Sequence, residues 1–200
     1  MIRQANQQEF SQVSQQFTRD WDLRKSACPK VNFVYVVSNP ALEARWSAYK
    51  QNLQNQNVEE HYHGTRLICD LSNMPCTNAD CGVCGISNTG LDRRCIQKTI
   101  NFQRFGHGFY LSPNSSKCHD YTQGANGYRA MLCCAVCPGR KYTLRTDHVN
   151  LKGPPAGYDC VYGQEGSSLN YAEIVVYNPD AVVPRYIIVY QRDGVHKIAT

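Results

Sequence analysis

Four short segments, taken in order, decide the interpretation of this chain of 200 residues. They are HGT at residues 63–65, FGHGFYLS at 105–112, SSKCHDY at 115–121 and LNYAEIVVY at 169–177. Each segment alone would be a weak signal, since a tripeptide such as HGT occurs by chance in many proteins. Together they bring a His, a Tyr and a Glu into a fixed order, namely His63, Tyr110 and Glu173.

The segments before residue 63 have the patterns of two helices and a strand. The recurrence of Phe10, Val13, Phe17 and Trp21 at steps of three and four predicts a helix whose apolar face packs on the core. Residues 31–37, VNFVYVV, are rich in β-branched and aromatic side chains and predict a strand.

A second helix is predicted to begin after Asn39. Asn39 is a favourable N-cap and Pro40 suits the first helical position. The helix is expected to run to about Asn57, with these apolar residues facing inward: Leu42, Trp46, Tyr49 and Leu53.

The rest of the chain has the patterns of strands and loops. Residues 60–62 are expected to be extended and to deliver His63, and further strands are predicted at about 131–136, 172–177 and 185–190. Residues 153–159, GPPAGYD, have the composition of a loop, and residues 69–95 that of an irregular Cys-rich insertion. Early helices followed by many strands indicate an α+β fold with helices packed on antiparallel sheets.

This order of motifs resembles the catalytic domain of the poly(ADP-ribose) polymerases. The resemblance covers nearly the whole chain, from an NPxL helix start at residues 39–42 to a closing YxxxY strand at 186–190. It is strongest for fungal-type members that carry a Cys-rich insertion after HGT. The resemblance implies an ADP-ribosyltransferase fold, in which residues 1–200 form one catalytic domain with an insertion at about 69–95.

The resemblance also implies an activity and a set of site residues. The family splits NAD at the nicotinamide bond and transfers ADP-ribose to an acceptor, with NAD as substrate. Glu173 would hydrogen-bond and polarise the nicotinamide ribose, with His63 and Tyr110 completing the catalytic set. The implied NAD-binding residues are His63, Gly64, Thr65, Tyr110, Cys118 and Tyr121.

Within that set, individual roles follow from the same resemblance. His63 would hold the adenosine ribose, and the backbone of Gly64 would pair with the nicotinamide carboxamide. Tyr110 and Tyr121 would flank the nicotinamide ring. Lys117 lies in the same segment and is a candidate to assist an acceptor or a carboxylate.

Cys118 departs from the family pattern. Most active members carry a Ser three residues before the second ring-stacking Tyr, and its hydroxyl binds the carboxamide. A thiol is a poor hydrogen-bond partner, so the substitution is expected to weaken nicotinamide binding. A buried, unreactive thiol is the simpler interpretation, and a redox function is the alternative.

Structural roles are the competing interpretation for each member of the triad. A single His usually has a structural role, and Tyr110 could be ordinary strand packing. Glu173 is the most informative residue, because a Glu is rarely buried without a partner. In a strand that should be buried, it either lies at the mouth of a site or indicates a wrong strand assignment.

A second candidate site lies in the Cys-rich segment. Cys69, Cys76, Cys81 and Cys84 include a Cys-x2-Cys spacing, which places two thiolates on one tight turn. We predict that these four residues hold a zinc ion; the alternative is four unrelated thiols. Four Cys ligands leave no open position, so the metal would be structural. Cys133, Cys134 and Cys137 lie on an apolar strand and are interpreted as core.

Composition narrows the cellular context and the function class. The net charge of +5 comes without a run of Lys or Arg, and we find no signal peptide, membrane span or nucleic-acid-binding pattern. Eleven Cys, an odd number, argue against a secreted disulfide framework and favour an intracellular site, cytoplasmic or nuclear. Walker and Rossmann glycine fingerprints are absent, so NAD would not serve here as a hydride carrier.

Three functional hypotheses remain open from sequence. The first is mono-ADP-ribosylation of a protein of unknown identity with NAD as donor. Glu173 is also compatible with chain elongation, which would depend on an acceptor loop at about residues 153–170. The second is an NAD glycohydrolase, with water as the acceptor. The third is a weakly active module that binds ADP-ribose or a partner protein.

Overall fold

The computed structural model describes residues 1–70, 74–95, 103–166 and 168–191. The helices in these ranges are α1 (Gln7–Arg19), α2 (Pro40–Gln51), α3 (Gly82–Thr89) and α4 (Ser115–His119), with 3-10 turns at Arg93–Cys95 and Pro179–Ala181. The strands are β1 (Ile2–Gln4), β2 (Val31–Val37), β3 (Glu59–Gly64), β4 (Phe109–Leu111), β5 (Tyr128–Val136), β6 (Lys141–Leu144), β7 (Cys160–Gly163), β8 (Glu173–Val176) and β9 (Val182–Gln191).

These strands form two sheets. The first has the order β1-β2-β9-β5-β3, and every neighbouring pair in it is antiparallel. The second has the order β4-β8-β7-β6 and is antiparallel except for the parallel pair β6–β7. The α+β class with antiparallel sheets and flanking helices is therefore confirmed. None of the helices in the described ranges is long and apolar enough to cross a membrane.

Helix α1 follows its sequence signals closely. Asn6 and Glu9 form a capping box, in which each side chain accepts a hydrogen bond from the other residue's backbone N–H. Val13 and Phe17 are buried, and Trp21 is buried just beyond the helix end. The predicted apolar stripe is thus core packing, and the capping box stabilises the helix start by about 1 kcal/mol.

Helix α2 begins where predicted but ends earlier. The Asn39 side chain caps it by accepting from the backbone of Leu42. The expected extension to Asn57 is wrong, because the helix ends at Gln51 and Asn52 is its C-cap. Three of the six residues that follow, at 52–57, are Asn, which is a poor helix former. Leu53 is nevertheless buried in the same cluster as Trp46. The apolar pattern therefore predicted the burial of Leu53 correctly but the length of the helix incorrectly.

The sequence predicted that the Cys-rich segment is irregular, and this prediction is only partly correct. The segment contains the eight-residue helix α3, in which Val83 and Cys84 are buried. Helix α3 packs against β5 and β9 of the first sheet, and Val83 and Cys84 belong to a hydrophobic cluster that includes residues of both strands. The local composition, rich in Gly and Asn, does not predict this helix, because the helix is stabilised by tertiary packing.

The expected acceptor loop at residues 153–170 also contains an ordered element. Residues 153–159 form no helix or strand, as predicted, but Cys160–Gly163 form β7. This strand pairs with β8 and places Gly163 opposite Glu173. Strands of three or four residues, such as β1, β4, β6 and β7, are too short for alternation to reveal them.

A backbone bridge joins the two sheets next to the predicted site. The N–H of Tyr62, in β3, donates to the carbonyl of Ser112 at 2.8 Å, and the N–H of Ser112 donates back at 3.1 Å. The buried Ser112 hydroxyl also donates to the carbonyl of Ala172 at 2.7 Å. Ser112 directly follows β4, the strand that carries Tyr110. It therefore connects β4 to β3, which ends at Gly64, and to Ala172, the residue before Glu173.

Candidate functional site

Glu173 is the first residue of β8, and only 6% of its surface is exposed. Its Oε1 lies 3.0 Å from the Nζ of Lys117. Its Oε2 is buried and makes no hydrogen bond with any part of the chain that the structure describes. Pairing with Lys117 answers how a Glu can be buried in a strand, and the strand assignment is correct. The second oxygen leaves an acceptor that a ligand hydroxyl could satisfy.

Lys117 is held in place by the short helix α4. The Asn114 side chain caps this helix by accepting from the backbone N–H of Lys117 at 2.9 Å. The Lys117 Nζ also donates to the Tyr121 hydroxyl at 3.1 Å and lies 5.0 Å from the centroid of that ring. Burial alone would lower the pKa of Lys117, but the Glu173 carboxylate and the Tyr121 hydroxyl raise it above its ordinary value. Lys117 is therefore a cation at neutral pH.

His63 has a defined tautomer. Its Nδ1 lies 2.9 Å from the carbonyl oxygen of Tyr110, and a carbonyl can only accept, so Nδ1 carries the proton. Burial lowers the pKa of His63 below the ordinary value of 6.5. The imidazole is thus neutral at pH 7, and its Nε2 presents a lone pair. Such a nitrogen can accept a hydrogen bond from a ribose hydroxyl.

Tyr110 is fixed by its hydroxyl. This group donates to the carbonyl of Gly106 at 2.8 Å and accepts from the backbone N–H of Phe105 at 2.9 Å. Burial raises the pKa of Tyr110 well above its usual range, so the phenol stays neutral. Because the hydroxyl is already used within the protein, the ring is what a ligand would meet. This suits a stacking surface rather than an acid.

Gly64 lies against the backbone of α4. A Cβ at this position would be 2.1 Å from the carbonyl oxygen of Cys118 and 3.0 Å from the Cβ of Tyr121. Only glycine permits this approach, which brings the end of β3 next to the segment that carries Tyr121, one of the two predicted ring contacts. Tyr121 itself is 45% exposed, as a residue at the edge of an open cleft would be.

Cys118 is buried, and its thiol donates to the carbonyl of Tyr62 at 3.1 Å. Burial raises the pKa of this thiol to about 12. It is therefore protonated at neutral pH, and the unreactive-thiol interpretation fits it better than a redox function.

A cleft of about 260 Å³ opens beside Glu173 and Lys117. Its other lining residues are Lys25, Arg104, Asp120, Leu169, Asn170 and Tyr171. Sequence reasoning did not assign these residues to a site. Tyr171 could have been found, because residues two apart lie on the same side of extended backbone and Tyr171 precedes Glu173 by two. Lys25 and Arg104 gave no local signal.

The loop after α1 forms one wall of this cleft. The Lys25 Nζ donates to the carbonyl of Ser116 at 2.7 Å and pairs with Asp120. It also lies 5.7 Å from the centroid of the Tyr171 ring, whose hydroxyl donates to Asp22 at 3.1 Å. The loop thereby connects helix α4 to the segment that leads into Glu173.

Thr65 occupies a different environment from its two predecessors. Its hydroxyl oxygen lies against Gly82 at the start of α3, so that a Cβ on Gly82 would be only 2.0 Å away. The other predicted residues make contacts with one another: His63 bonds to the backbone of Tyr110, Gly64 lies against Cys118 and Tyr121, and Lys117 contacts both Tyr121 and Glu173. Thr65 faces the Cys-rich segment instead.

The structure brings Cys69, Cys76, Cys81 and Cys84 together, with all four sulfurs within 4.8 Å of one another. The Cys69 and Cys84 sulfurs are 3.6 Å apart, and those of Cys69 and Cys81 are 3.8 Å apart. Tetrahedral zinc with Zn–S bonds of about 2.3 Å requires sulfurs about 3.8 Å apart, so the donor set fits this ion. The backbone N–H of Cys76 also donates to the Cys84 sulfur at 3.3 Å.

Comparison with known proteins assigns the family. The chain belongs to the poly(ADP-ribose) polymerase catalytic domain family, whose sequence profile matches residues 7–168. The human protein mono-ADP-ribosyltransferase PARP3 is 26% identical over 165 residues, which cover 79% of this chain and 27% of that protein. The chain thus corresponds to about a quarter of that relative. Glu173 lies beyond the matched range, so its assignment rests on motif order and geometry.

Proposed function

We propose that this chain is an NAD-dependent ADP-ribosyltransferase that transfers a single ADP-ribose to a protein acceptor. The family membership supports ADP-ribosyl transfer as the reaction class. The observation that carries the proposal is Glu173, a buried carboxylate with one oxygen on Lys117 and the other without a partner among the described residues. A ribose with two hydroxyls supplies the donors that such a carboxylate lacks.

The chemistry follows from the positive charge of the nicotinamide ring in NAD. When the bond between nicotinamide and ribose C1′ breaks, its electron pair moves to the nicotinamide nitrogen and the ring leaves as a neutral molecule. Positive charge then develops on the ribose. Glu173 stabilises that charge electrostatically, and the burial of its side chain strengthens the effect.

The nicotinamide ring is held by aromatic stacking and backbone contacts rather than by ion pairs. Tyr110 and Tyr121 offer aromatic faces, and offset stacking contributes about 0.5–1.5 kcal/mol beyond burial. Gly64 exposes its backbone beside them without a Cβ in the way. The neutral Nε2 of His63 accepts from the adenosine ribose, which fixes the far half of NAD.

The acceptor approaches through the cleft beside Glu173. As its nucleophilic atom bonds to ribose C1′, it releases a proton, which Glu173 or water can take. Lys117 pairs with the carboxylate and holds its orientation until that moment. Leu169, Asn170 and Tyr171, in the segment that leads into β8, line this entrance.

Incubation of the purified chain with NAD labelled in the adenosine moiety tests the proposal. Label on protein, lost in Glu173→Gln, is the expected result. Free labelled ADP-ribose alone would show that water is the acceptor and the chain is an NAD glycohydrolase. Binding of NAD or ADP-ribose without turnover would identify a binding module, as the substitution by Cys118 allows.

We further propose that the four-cysteine cluster binds one structural zinc ion. The sulfur spacing supports it, and four protein ligands would leave no position for substrate. When bound, the ion would cross-link Cys69 and Cys76 to the start of α3, which carries Cys81 and Cys84. Metal analysis of protein purified without added chelator is expected to give about one zinc per chain, and a value near zero would contradict the proposal.

A further inference from the structure

The cysteine cluster and the NAD-binding segment share a direct contact. A Cβ on Gly82, the first residue of α3, would lie 2.0 Å from the Oγ1 and 3.2 Å from the Cβ of Thr65. The backbone of α3 therefore rests on the Thr65 side chain with no space between them. Gly85, one turn further along the same helix, has nothing within 4 Å of an added Cβ.

Backbone hydrogen bonds extend this contact on both sides of the segment. The N–H of Val83 donates to the carbonyl of Arg66 at 3.1 Å. On the opposite side, Gln123 donates to the carbonyl of Thr65 at 3.3 Å and accepts from the N–H of Leu67 at 2.8 Å. Residues 65–67 are thus clamped between α3 and the loop that follows Tyr121.

The sulfurs of the cluster hold the helix side of this clamp. Cys81 is the N-cap of α3, Cys84 lies within the helix, and Cys69 follows Leu67 by two residues. Without a metal, the sulfurs can form only weak hydrogen bonds with one another, at 3.6 and 3.8 Å. A metal ion bound by all four sulfurs would fix the start of α3 relative to residues 65–67.

We infer that Gly82 is a positioning residue through which metal loading of the cysteine cluster sets the NAD affinity of the His63–Thr65 segment. The inference rests on the proposed NAD site and zinc site, and adds a coupling between them. A metal ion that orders the start of α3 lowers the free-energy cost of ordering residues 65–67 for NAD. Bound metal should therefore favour NAD binding, and bound NAD should favour metal binding.

Two glycine variants in one helix provide the test. Gly82→Ala is expected to retain about one zinc per chain but to weaken NAD binding about 5-fold or more in calorimetry, the lower end of usual coupling. Gly85→Ala, whose methyl group meets open space, is the matched control and should change neither quantity. Wild-type affinity in Gly82→Ala would overturn the positioning role.

Thr65→Ala provides a second arm if Gly82→Ala folds poorly. Removal of the Thr65 hydroxyl and methyl makes room for the new methyl at residue 82. Thr65→Ala/Gly82→Ala should therefore fold and bind NAD like Thr65→Ala alone. A further loss of affinity in the double variant would contradict the contact as the cause.

Metal removal completes the test. Wild-type protein stripped with chelator should bind NAD more weakly by a similar factor and recover when zinc is returned. Equal NAD affinity with and without zinc would overturn the coupling. Failure of the zinc-loaded wild type to bind NAD would instead contradict the proposed function, so the two failures are distinguishable.

Discussion

Lys117 Nζ lies 3.0 Å from one carboxylate oxygen of Glu173, while the other oxygen of Glu173 is buried without a hydrogen-bond partner in the described ranges. The pair comes from helix α4 and strand β8, which are far apart in sequence. One oxygen thus pairs with the lysine, and the other remains for a ligand.

Glu173→Gln is expected to separate binding from chemistry. The amide keeps the size of the side chain but removes the charge, which matters most when the ribose becomes cationic. We expect NAD to bind nearly as before while turnover falls by roughly 10²–10³. Calorimetry and a single-turnover assay measure the two quantities. Glu60→Gln, an exposed carboxylate on β3, is the control.

His63→Ala should behave differently, because the adenosine ribose is held in both ground and transition states. NAD affinity and turnover are therefore both expected to fall.

If Glu173→Gln leaves transfer and hydrolysis intact, the carboxylate is not catalytic, and the binding-module hypothesis should replace the enzyme hypothesis.

Lys117→Met is expected to destabilise the protein and reduce turnover. It leaves a buried carboxylate without its cation, which costs roughly 3–5 kcal/mol of unfolding free energy. In Lys117→Met/Glu173→Gln the uncompensated charge is gone, so much of that stability should return. Chemical denaturation of the four proteins of this cycle measures the coupling. Additive losses in the double variant would mean that the pair is not coupled in solution.

The lowered pKa of His63 predicts a pH dependence. The neutral imidazole offers Nε2 as an acceptor, and protonation converts it to a donor. NAD affinity should therefore be constant from about pH 8 to 6.5 and fall at more acidic pH. In His63→Gln, whose amide does not titrate, the acid decline of affinity should disappear.

The lowered pKa of His63 also makes the free energy of unfolding depend on pH. The folded protein binds a proton at His63 less readily than the unfolded chain, so the free energy of unfolding should decline as pH falls below about 6.5. Unfolding should therefore be measured alongside affinity. A loss of affinity that begins between pH 8 and 7, or one that persists in His63→Gln, would exclude His63 as its source.

The sequence predicted elements that have a long, one-sided apolar pattern and missed those whose stability comes from partners. Strand β2 was predicted with its observed limits, because its β-branched and aromatic run is unbroken. Helix α3 was missed, since its burial depends on strands that are distant along the chain. Short strands such as β7 depend in the same way on neighbours rather than on their own residues.

The candidate site shows the same division. The motifs indicated Lys117 as a candidate to assist an acceptor or a carboxylate, but its contact with Glu173 depends on how α4 packs beside β8. The role of Lys25 as a cleft residue depends on how the loop after α1 reaches α4, which no local pattern encodes. The distances among the cysteine sulfurs likewise became known only from the structure.

Cys84→Ser tests the metal centre. A hydroxyl is a much weaker zinc ligand than a thiolate, so zinc content should fall from about one per chain to near zero. The segment around α3 should loosen, and a loss of about 2 kcal/mol would lower the melting temperature by roughly 4–8 °C at this chain length. Cys28→Ser, a half-buried thiol outside the cluster, is the control. Normal folding and unchanged stability in chelator would contradict a structural metal.

Cys118→Ser is expected to tighten nicotinamide binding. The thiol already donates to the carbonyl of Tyr62, and a hydroxyl in its place can make the same bond. The oxygen then retains lone pairs that accept far better than sulfur, which suits the amide hydrogens of the carboxamide. One added neutral hydrogen bond contributes about 0.5–1.5 kcal/mol net, which corresponds to a few-fold to roughly tenfold in affinity. Calorimetry with nicotinamide measures the change, and Cys28→Ser again serves as the control. Unchanged or weaker binding would show that the residue 118 side chain does not face the carboxamide, and the departure from the family's Ser would then have no bearing on nicotinamide affinity.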